Sequence, residues 1–356
     1  MKKMMALVSV GSMGFMLAAC GTGDSGGQGE QTSGQEGSST TIDPNRVRTV
    51  IGSSSTGGDT YQTADAATRN LEEVLDTNMQ VDAVGADRAF SEMSGAQDDG
   101  STIMYFHDMA YLGVEYGSFS EDYELENWTI GPMVATNPGN AFLTSADAPY
   151  DTMAESIEWL EDNPDETVSV ALEEGGVSEI VFDGYYLWAE EEYGSEITDR
   201  IEVYVTGSQE DKNQALWDGN ADIIHGSIGA NNEYTEDGVE DDIKMKFLGV
   251  TTEERVDGFD IPTFAEQGIT VDGEEFVFEK EFFFLLPKDI DESYTTALDN
   301  AMAELAEDEE FAEALNKNTY TVNHMPSDEA EEHLMEKREN MQSIIEQAPD
   351  LNDLAK

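Results

Sequence analysis

The hydrophobic positions of this chain fall into two alternating patterns. Runs of strand length are followed by segments whose apolar residues recur at helical spacing. Residues 47–53 (VRTVIGS) read as a strand and 65–75 (DAATRNLEEVL) as a helix. MQVDAVG (79–85) and TIMYF (102–106) repeat the strand pattern. AFLTSA (141–146) leads into DTMAESIEWLED (151–162), where Thr152 and Glu155 have the spacing of a capping box. TVSVAL (167–172) precedes a helical segment at 175–194, entered through a Gly-Gly loop and capped at Ser178. IEVYVT (201–206) precedes SQEDKNQALWDG (208–219), with a second capping box at Ser208 and Asp211 and a stop at Gly219. ADIIHGS (221–227) and IKMKFLGVT (243–251) are strands, FVFEKEFFFLLP (276–287) is the most apolar stretch of the body, and two long helical segments complete the chain. Strands alternating with helices predict an α/β fold with largely parallel sheets. No block recurs at a fixed period.

The N-terminus obeys neither pattern. A basic MKK is followed by an apolar run from Met4 to Met16, then by Leu17-Ala18-Ala19-Cys20. The run is too short for a stable membrane span and reads as a signal peptide, residues 1–19. Leu-Ala-Ala-Cys resembles the bacterial lipobox, which implies lipidation of Cys20 and cleavage before it. Residues 21–43 hold one large apolar residue among Gly, Ser, Thr and acids. Such a segment cannot bury enough surface to fold and spans about 25 Å as a flexible coil. Residues 20–43 are therefore a tether that holds a globular body, long enough for two domains, outside the cytoplasmic membrane, on its outer face. Cys20 is the only cysteine, so internal disulfides and cysteine zinc sites are excluded.

Charge narrows the partners. The chain carries 17 Lys plus Arg against 77 Asp plus Glu, a formal net charge of −60. Nucleic acid and anionic lipid surfaces are poor partners for it. The acids are spread along the chain and 39% of residues are hydrophobic, so the expectation is a folded protein suited to high salt, where self-repulsion is screened.

Two strand-to-loop junctions share one chemistry. Strand 47–53 opens into Ser53, Ser54, Ser55, Thr56, Gly57 and Gly58, and strand 167–172 opens into a loop with Gly175, Gly176, Val177 and Ser178. In open α/β sheets, ligands settle beyond the carboxyl ends of the strands. Glycine lets backbone come close, hydroxyls donate and accept, and a helix N-terminus aims N–H groups at an anion. With Thr206 and Gly207 these residues form the candidate ligand site, one that holds an anion without needing arginine. No catalytic constellation accompanies them: His107, His225, His324 and His333 are scattered, and no phosphate loop, EF-hand or nucleophile elbow occurs. Acidic clusters such as Glu240-Asp241-Asp242 are expected by chance among 77 acids. The expectation is a binding protein with no catalytic residue, no metal and no cofactor.

The segment 249–268, GVTTEERVDGFDIPTFAEQG, resembles the extracytoplasmic receptors of tripartite tricarboxylate transporters, the Bug-type receptors, through Thr251, Arg255, Pro262, Thr263, Glu266 and Gly268. The likeness extends to Asp65–Arg69, to Asp99-Gly100-Ser-Thr, to Ala135–Pro164 and to Tyr204–Asp222 through Gly207, Leu216 and Gly219. Three loops depart from the family pattern. Gly57-Gly58 stand several residues from Asp65, VGADRAFSE (84–92) replaces a glycine-rich loop, and LEEGGVSE replaces another. The resemblance implies a two-lobed α/β fold of the periplasmic-binding-protein-like type II class. The first lobe would comprise 44–143 and 284–356, the second 144–283, joined near AFLTSA and FFFLLP with a ligand cleft between them. It also implies a monomer that captures an organic di- or tricarboxylate for the membrane subunits of such a transporter. A tethered receptor feeding a sensor kinase is the alternative, and genomic neighbours separate the two.

Overall fold

The computed structural model describes residues 42–355; the signal segment, Cys20 and the tether up to residue 41 lie outside the described residues. Ile42 already packs against the core of the first lobe, two residues before the expected start of the body.

In chain order the elements begin with β1 (Arg46–Ile51), α1 (Asp59–Leu75), β2 (Asn78–Ala83), α2 (Ala86–Ser94), β3 (Thr102–His107), α3 (Met109–Glu115) and β4 (Thr129–Asn137). They continue with β5 (Asn140–Ser145), α4 (Met153–Asp162), β6 (Val168–Leu172), α5 (Val177–Tyr193) and the short α6 (Ser195–Thr198). Then come β7 (Ile201–Val205), α7 (Gln209–Trp217), β8 (Ile223–Ser227), the short α8 (Ile228–Asn231) and β9 (Met245–Val250). A two-residue turn at Asp272-Gly273 joins the small hairpin β10 (Thr270–Val271) and β11 (Glu274–Glu275). The chain ends with β12 (Lys280–Leu286), α9 (Glu292–Ala306), α10 (Glu309–Asn316), β13 (Thr321–Met325), α11 (Ser327–Ile345) and α12 (Leu351–Leu354).

Two sheets organise these elements. The first has the order β13-β4-β12-β3-β1-β2 and the second β7-β6-β8-β5-β9. Strands β1, β2 and β3 are parallel, as are β6, β7 and β8, whereas β12 runs antiparallel to β3 and β4 and β5 antiparallel to β8 and β9. The chain leaves the first sheet after Asn137 and enters the second at Asn140. The Asn137 carboxamide oxygen accepts the Gly139 amide at 3.0 Å and holds that passage. The passage precedes the expected boundary at 143/144, which falls inside β5, and the boundary at 283/284 falls inside β12. Each strand needs its whole length to pair within one sheet, so neither is divided between lobes.

Strand β12 shows why its sequence is continuously apolar. Phe282, Phe284 and Leu286 enter the cluster under α1, α9 and α10, while Phe283 and Leu285 enter the cluster on the opposite face. All five are fully buried. Each side chain so buried contributes roughly 2–3 kcal/mol, and burial on both faces removes the need for alternation.

The local signals account for most boundaries. The Thr152 hydroxyl accepts the Glu155 amide at 3.1 Å, and the Glu155 carboxylate returns to the Asp151 amide at 2.6 Å. The Ser208 hydroxyl accepts the Asp211 amide at 3.1 Å, and Gly219 follows α7 with φ 72°. Three expectations need correction. Helix α1 starts at Asp59, not Asp65, so the residues between Gly58 and Asp65 are an added helical stretch. Ser178 is not a helix cap: α5 begins at Val177 behind Gly176, and Ser178 lies inside the first turn. The final helical stretch is interrupted by β13, whose polar run TVNHM forms the edge of the first sheet.

Candidate functional site

A cavity of about 920 Å³ lies between the two sheets, at the carboxyl ends of β1, β3, β6 and β8. The N-terminal turns of α1, α5 and α7 contribute to its lining, so three partial positive charges converge there without any ionised side chain.

From the first lobe the cavity receives Ser53, Ser55, Gly57 and Gly58. Here the loop satisfies two of its own amides. The Ser55 amide donates to the Ser53 hydroxyl at 3.1 Å and the Gly57 amide to the Ser55 hydroxyl at 3.1 Å. The helix N-terminus behind it holds the protein's own carboxylate: Asp59 Oδ1 accepts the Thr60 amide at 2.7 Å and Oδ2 pairs with Lys280 Nζ at 2.8 Å. Burial alone would raise the Asp59 pKa, but Lys280 and the Thr60 amide outweigh it and hold the carboxyl below its usual range.

From the second lobe come Gly176, Val177, Ser178 and Gly207. The amides of Gly176, Val177 and Ser178 have no acceptor among the described residues. Ser178 Oγ accepts the Glu173 amide at 3.1 Å and lies 2.9 Å from His225 Nδ1. Lys212, 3% exposed, pairs with Glu173 at 2.8 Å. Burial lowers the His225 pKa well below the ordinary value, with Lys212 and Lys280 adding to the effect, so its ring is neutral. Burial likewise keeps His107 neutral, reinforced by Lys280.

The glycines of the second loop are required by close approach. Gly175 has φ 80°, and a Cβ there would stand 2.1 Å from Ser118 Oγ; at Gly176 it would stand 2.3 Å from Met109 Sδ. Ser118 follows α3 and Met109 begins it, so the loop rests directly on the first lobe.

Four sequence-predicted residues do not line the cavity. Ser54 faces Gly85 at the start of α2, and Thr56 is exposed on the outer turn of its loop. The Thr206 amide continues the β7–β6 pairing by donating to Leu172 at 2.9 Å. Gly175 turns to a second, acid-lined hollow of about 300 Å³ bounded by Tyr116, Glu179, Asp183 and Asp350. There Glu179 accepts the Gly175 amide and burial pushes its pKa up to about 7. Tyr116 donates to Asp183 at 2.6 Å across the lobes, and burial raises Asp183 well above the carboxylate range.

Sequence reasoning missed His107, Asn137, Asn140, Lys212, His225 and Lys280, all of which line the cavity. Two carried a signal. A lysine inside the most apolar strand, Lys280, and a lysine in an acidic helix, Lys212, are conspicuous in a chain with so few cations. The segment 251–268 has a structural part in the described residues. Thr251 Oγ1 donates to the Phe278 carbonyl at 2.6 Å, Arg255 pairs with Glu266 at 2.8 Å, and the Thr263 hydroxyl accepts the Glu266 amide at 3.1 Å. Among the described residues, no group of His, Cys, Asp and Glu is placed to hold a metal ion, and no helix is long and apolar enough to cross a membrane.

Comparison with known proteins places these features. A family signature described as tripartite tricarboxylate transporter family receptor matches residues 89–349. Similar solved structures include a TctC solute binding protein from Polaromonas without ligand, at 16% identity and TM-score 0.63, covering 86% of this chain and 100% of that one. An R. palustris protein with adipate aligns at 15% identity and TM-score 0.69, covering 85% of this chain and 97% of that one. MatC from Rhodopseudomonas palustris with bound malate aligns at 18% identity and TM-score 0.65, covering 85% and 99%. No curated protein sequence matches. The fold is that of the periplasmic binding proteins of this type.

Proposed function

Because the chain belongs to the tripartite tricarboxylate transporter receptor family, we propose that it captures an organic carboxylate in the cleft between its lobes and delivers it to the membrane subunits of such a transporter. The observation that carries this reading is the set of unfilled amides at the N-terminus of α5, facing a cavity of about 920 Å³. A carboxylate accepts several N–H bonds at once, and such charge-assisted bonds are roughly twice as strong as neutral ones. The two R. palustris proteins of this fold, solved with adipate and with malate, support the same ligand class.

The carboxylate is held by the predicted second-lobe residues that reach the cavity, Gly176, Val177, Ser178 and Gly207, joined by His225 and Asn140, while Ser53, Ser55, Gly57 and Gly58 form the facing wall. The protein acts as a monomer outside the cytoplasmic membrane, held by a lipid on Cys20, and its net charge of −60 suits a salty exterior. Mass spectrometry of small molecules released from the denatured, freshly purified protein tests the reading. A stoichiometric organic acid is expected; recovery of a sugar or a peptide instead overturns it. The tether has its own test: mature protein should carry diacylglycerol at Cys20 and enter detergent, and an unmodified thiol in mature protein rejects the anchor.

A further inference from the structure

The two lobes offer the cavity different electrostatic characters. In the second lobe, donors are in excess. Ser178 Oγ accepts the Glu173 amide and lies 2.9 Å from His225 Nδ1. With Ser178 donating to Nδ1, the neutral ring carries its hydrogen on Nε2, and that nitrogen is buried with no partner. Asn140 Nδ2 is also buried with no partner. Asn140 pairs with Ser227 and Phe142 with His225 across β5 and β8, so Asn140 and His225 stand on one face of the second sheet, two positions apart. Both residues are more than nine-tenths buried and both line the cavity, beside the three free amides of α5. A buried donor without an acceptor is costly, by about 1–3 kcal/mol each, and an anion here would satisfy several together.

In the first lobe the side-chain donors around Asp59 are committed to it, whereas the Gly58 and Asp59 amides and His107 Nε2 have no acceptor among the described residues. Lys280, the Thr60 amide and Asn137 Nδ2 all face Asp59. Gln62 Nε2 donates to the Gly57 carbonyl at 2.9 Å, and Tyr320 donates to Gln62 at 2.9 Å. His107, whose Nδ1 accepts the Met109 amide, stands in the field of Asp59. Among the described residues, the only cations lining the cavity, Lys212 and Lys280, are each held by a carboxylate, and three more carboxylates, Glu174, Glu210 and Glu233, stand at its exposed edge. A second ligand carboxylate would lose its water and meet no uncommitted cation, the arrangement that penalises buried charge most.

We infer that the ligand carries a single carboxylate, seated on the second lobe by the α5 amides, His225 and Asn140, and that its far end against Asp59 and Lys280 bears no negative charge. This rests on the carboxylate-receptor reading and narrows it away from the di- and tricarboxylates that the resemblance implies. An ammonium or a neutral end is accommodated; a second carboxylate is rejected by the protein's own Asp59, which fills the place it would need.

The test is calorimetry on the full chain with matched sets of unbranched acids of three to six carbons. Each set holds the α,ω-diacid, the ω-amino acid and the monoacid of one length. In the best-binding set the amino acid or the monoacid should bind at least about tenfold more tightly than the diacid. A diacid that binds as tightly or more tightly overturns this inference and leaves the receptor reading standing. If no member of any set binds and no organic acid is released from the purified protein, both fall together. Asp59→Asn keeps the side chain's shape but removes its charge and leaves Lys280 without a counter-ion, so diacid affinity should rise about tenfold relative to that of the monoacid. An unchanged ratio of the two affinities in a variant with native circular dichroism also overturns the inference. If Asp59→Asn does not fold, the wild-type series decides alone.

Discussion

The loop Ser53–Gly58 ahead of α1 and the loop Glu173–Gly176 ahead of α5 occupy equivalent places at the ends of parallel strands, and both are rich in small and polar residues. In three dimensions they do different things. The first carries its own counter-ion: its hydroxyls accept two of its amides, and Asp59 accepts the Thr60 amide at the helix N-terminus and pairs with Lys280. The second stays open, with three amides unmatched and two buried donors beside them. The difference comes down to the first residue of each helix, an aspartate in α1 and a valine in α5. A cradle that carries its own carboxylate is a structural joint, whereas one that lacks it is a receptor.

That contrast can be broken most severely at the joint. Replacing Asp59 by alanine leaves Lys280, 13% exposed, without its partner, and should cost about 3–4 kcal/mol in urea denaturation. Lys280→Met alone should cost a comparable amount by orphaning Asp59. The double variant should cost clearly less than the sum, because neither charge is then left unpaired. Simple additivity would mean that the pair does not hold the joint together.

The next effect belongs to the support beneath the open cradle. Burial raises the folded-state pKa of Glu179 from 4.5 to about 7, so the folded chain binds this proton more tightly than the unfolded chain does. The associated stability is fully present below about pH 4.5 and is lost as pH rises through about 7, amounting to roughly 2–3 kcal/mol. Glu179→Gln should abolish that part of the pH dependence, measured as the difference in unfolding free energy between pH 4.5 and pH 8. An unchanged difference would show that the carboxyl is solvated in the folded protein. The acid that braces the first loop, Asp59, is by contrast held ionised by Lys280.

Ser178→Ala removes the acceptor of the Glu173 amide and the partner that fixes the His225 ring. Carboxylate affinity should fall about tenfold, and stability by about 1 kcal/mol. Ser55→Ala, its counterpart in the closed loop, should change affinity by less than about twofold, since its hydroxyl serves only the neighbouring amide. Equal losses at the two serines would erase the distinction between the loops. The smallest effect is that of salt. A site that holds an anion through amides in a strongly acidic protein should bind about two- to threefold more tightly at 1 M salt than at 0.1 M, because screening removes long-range repulsion. Weaker binding at high salt would point to a lysine freed from its carboxylate.

Legibility in the sequence followed the range of the interactions involved. The caps at Thr152 and Ser208 were readable because the serine or threonine and its amide lie three residues apart. Strand β12 was readable because burial on both faces leaves an unbroken apolar run. Strand β13 was not, since an edge strand with one neighbour tolerates the polar run TVNHM. Eight of the twelve predicted cavity residues reach the cavity; Ser54, Thr56, Gly175 and Thr206 point elsewhere because successive residues of a loop face different sides. The missing partners came from the middle of elements: His225 from β8, Lys280 from the start of β12, Lys212 from α7. Nothing in their neighbours along the chain marks them as a group.

By itself, the sequence of this protein determined most of the order of strands and helices, the acidic composition, the two loop–helix junctions and, through the 249–268 motif, the family. These depend on periodicity, composition and spacing, which are properties of neighbouring residues. Only the tertiary structure decided which junction is open. Lys280 meets Asp59 across 221 positions of chain and Ser178 meets His225 across 47, and those pairings settle which charges are spent within the protein and which donors remain for a ligand. The physical reason is that hydrogen-bond satisfaction is a balance over everything packed around a group, and a linear sequence does not say what that will be.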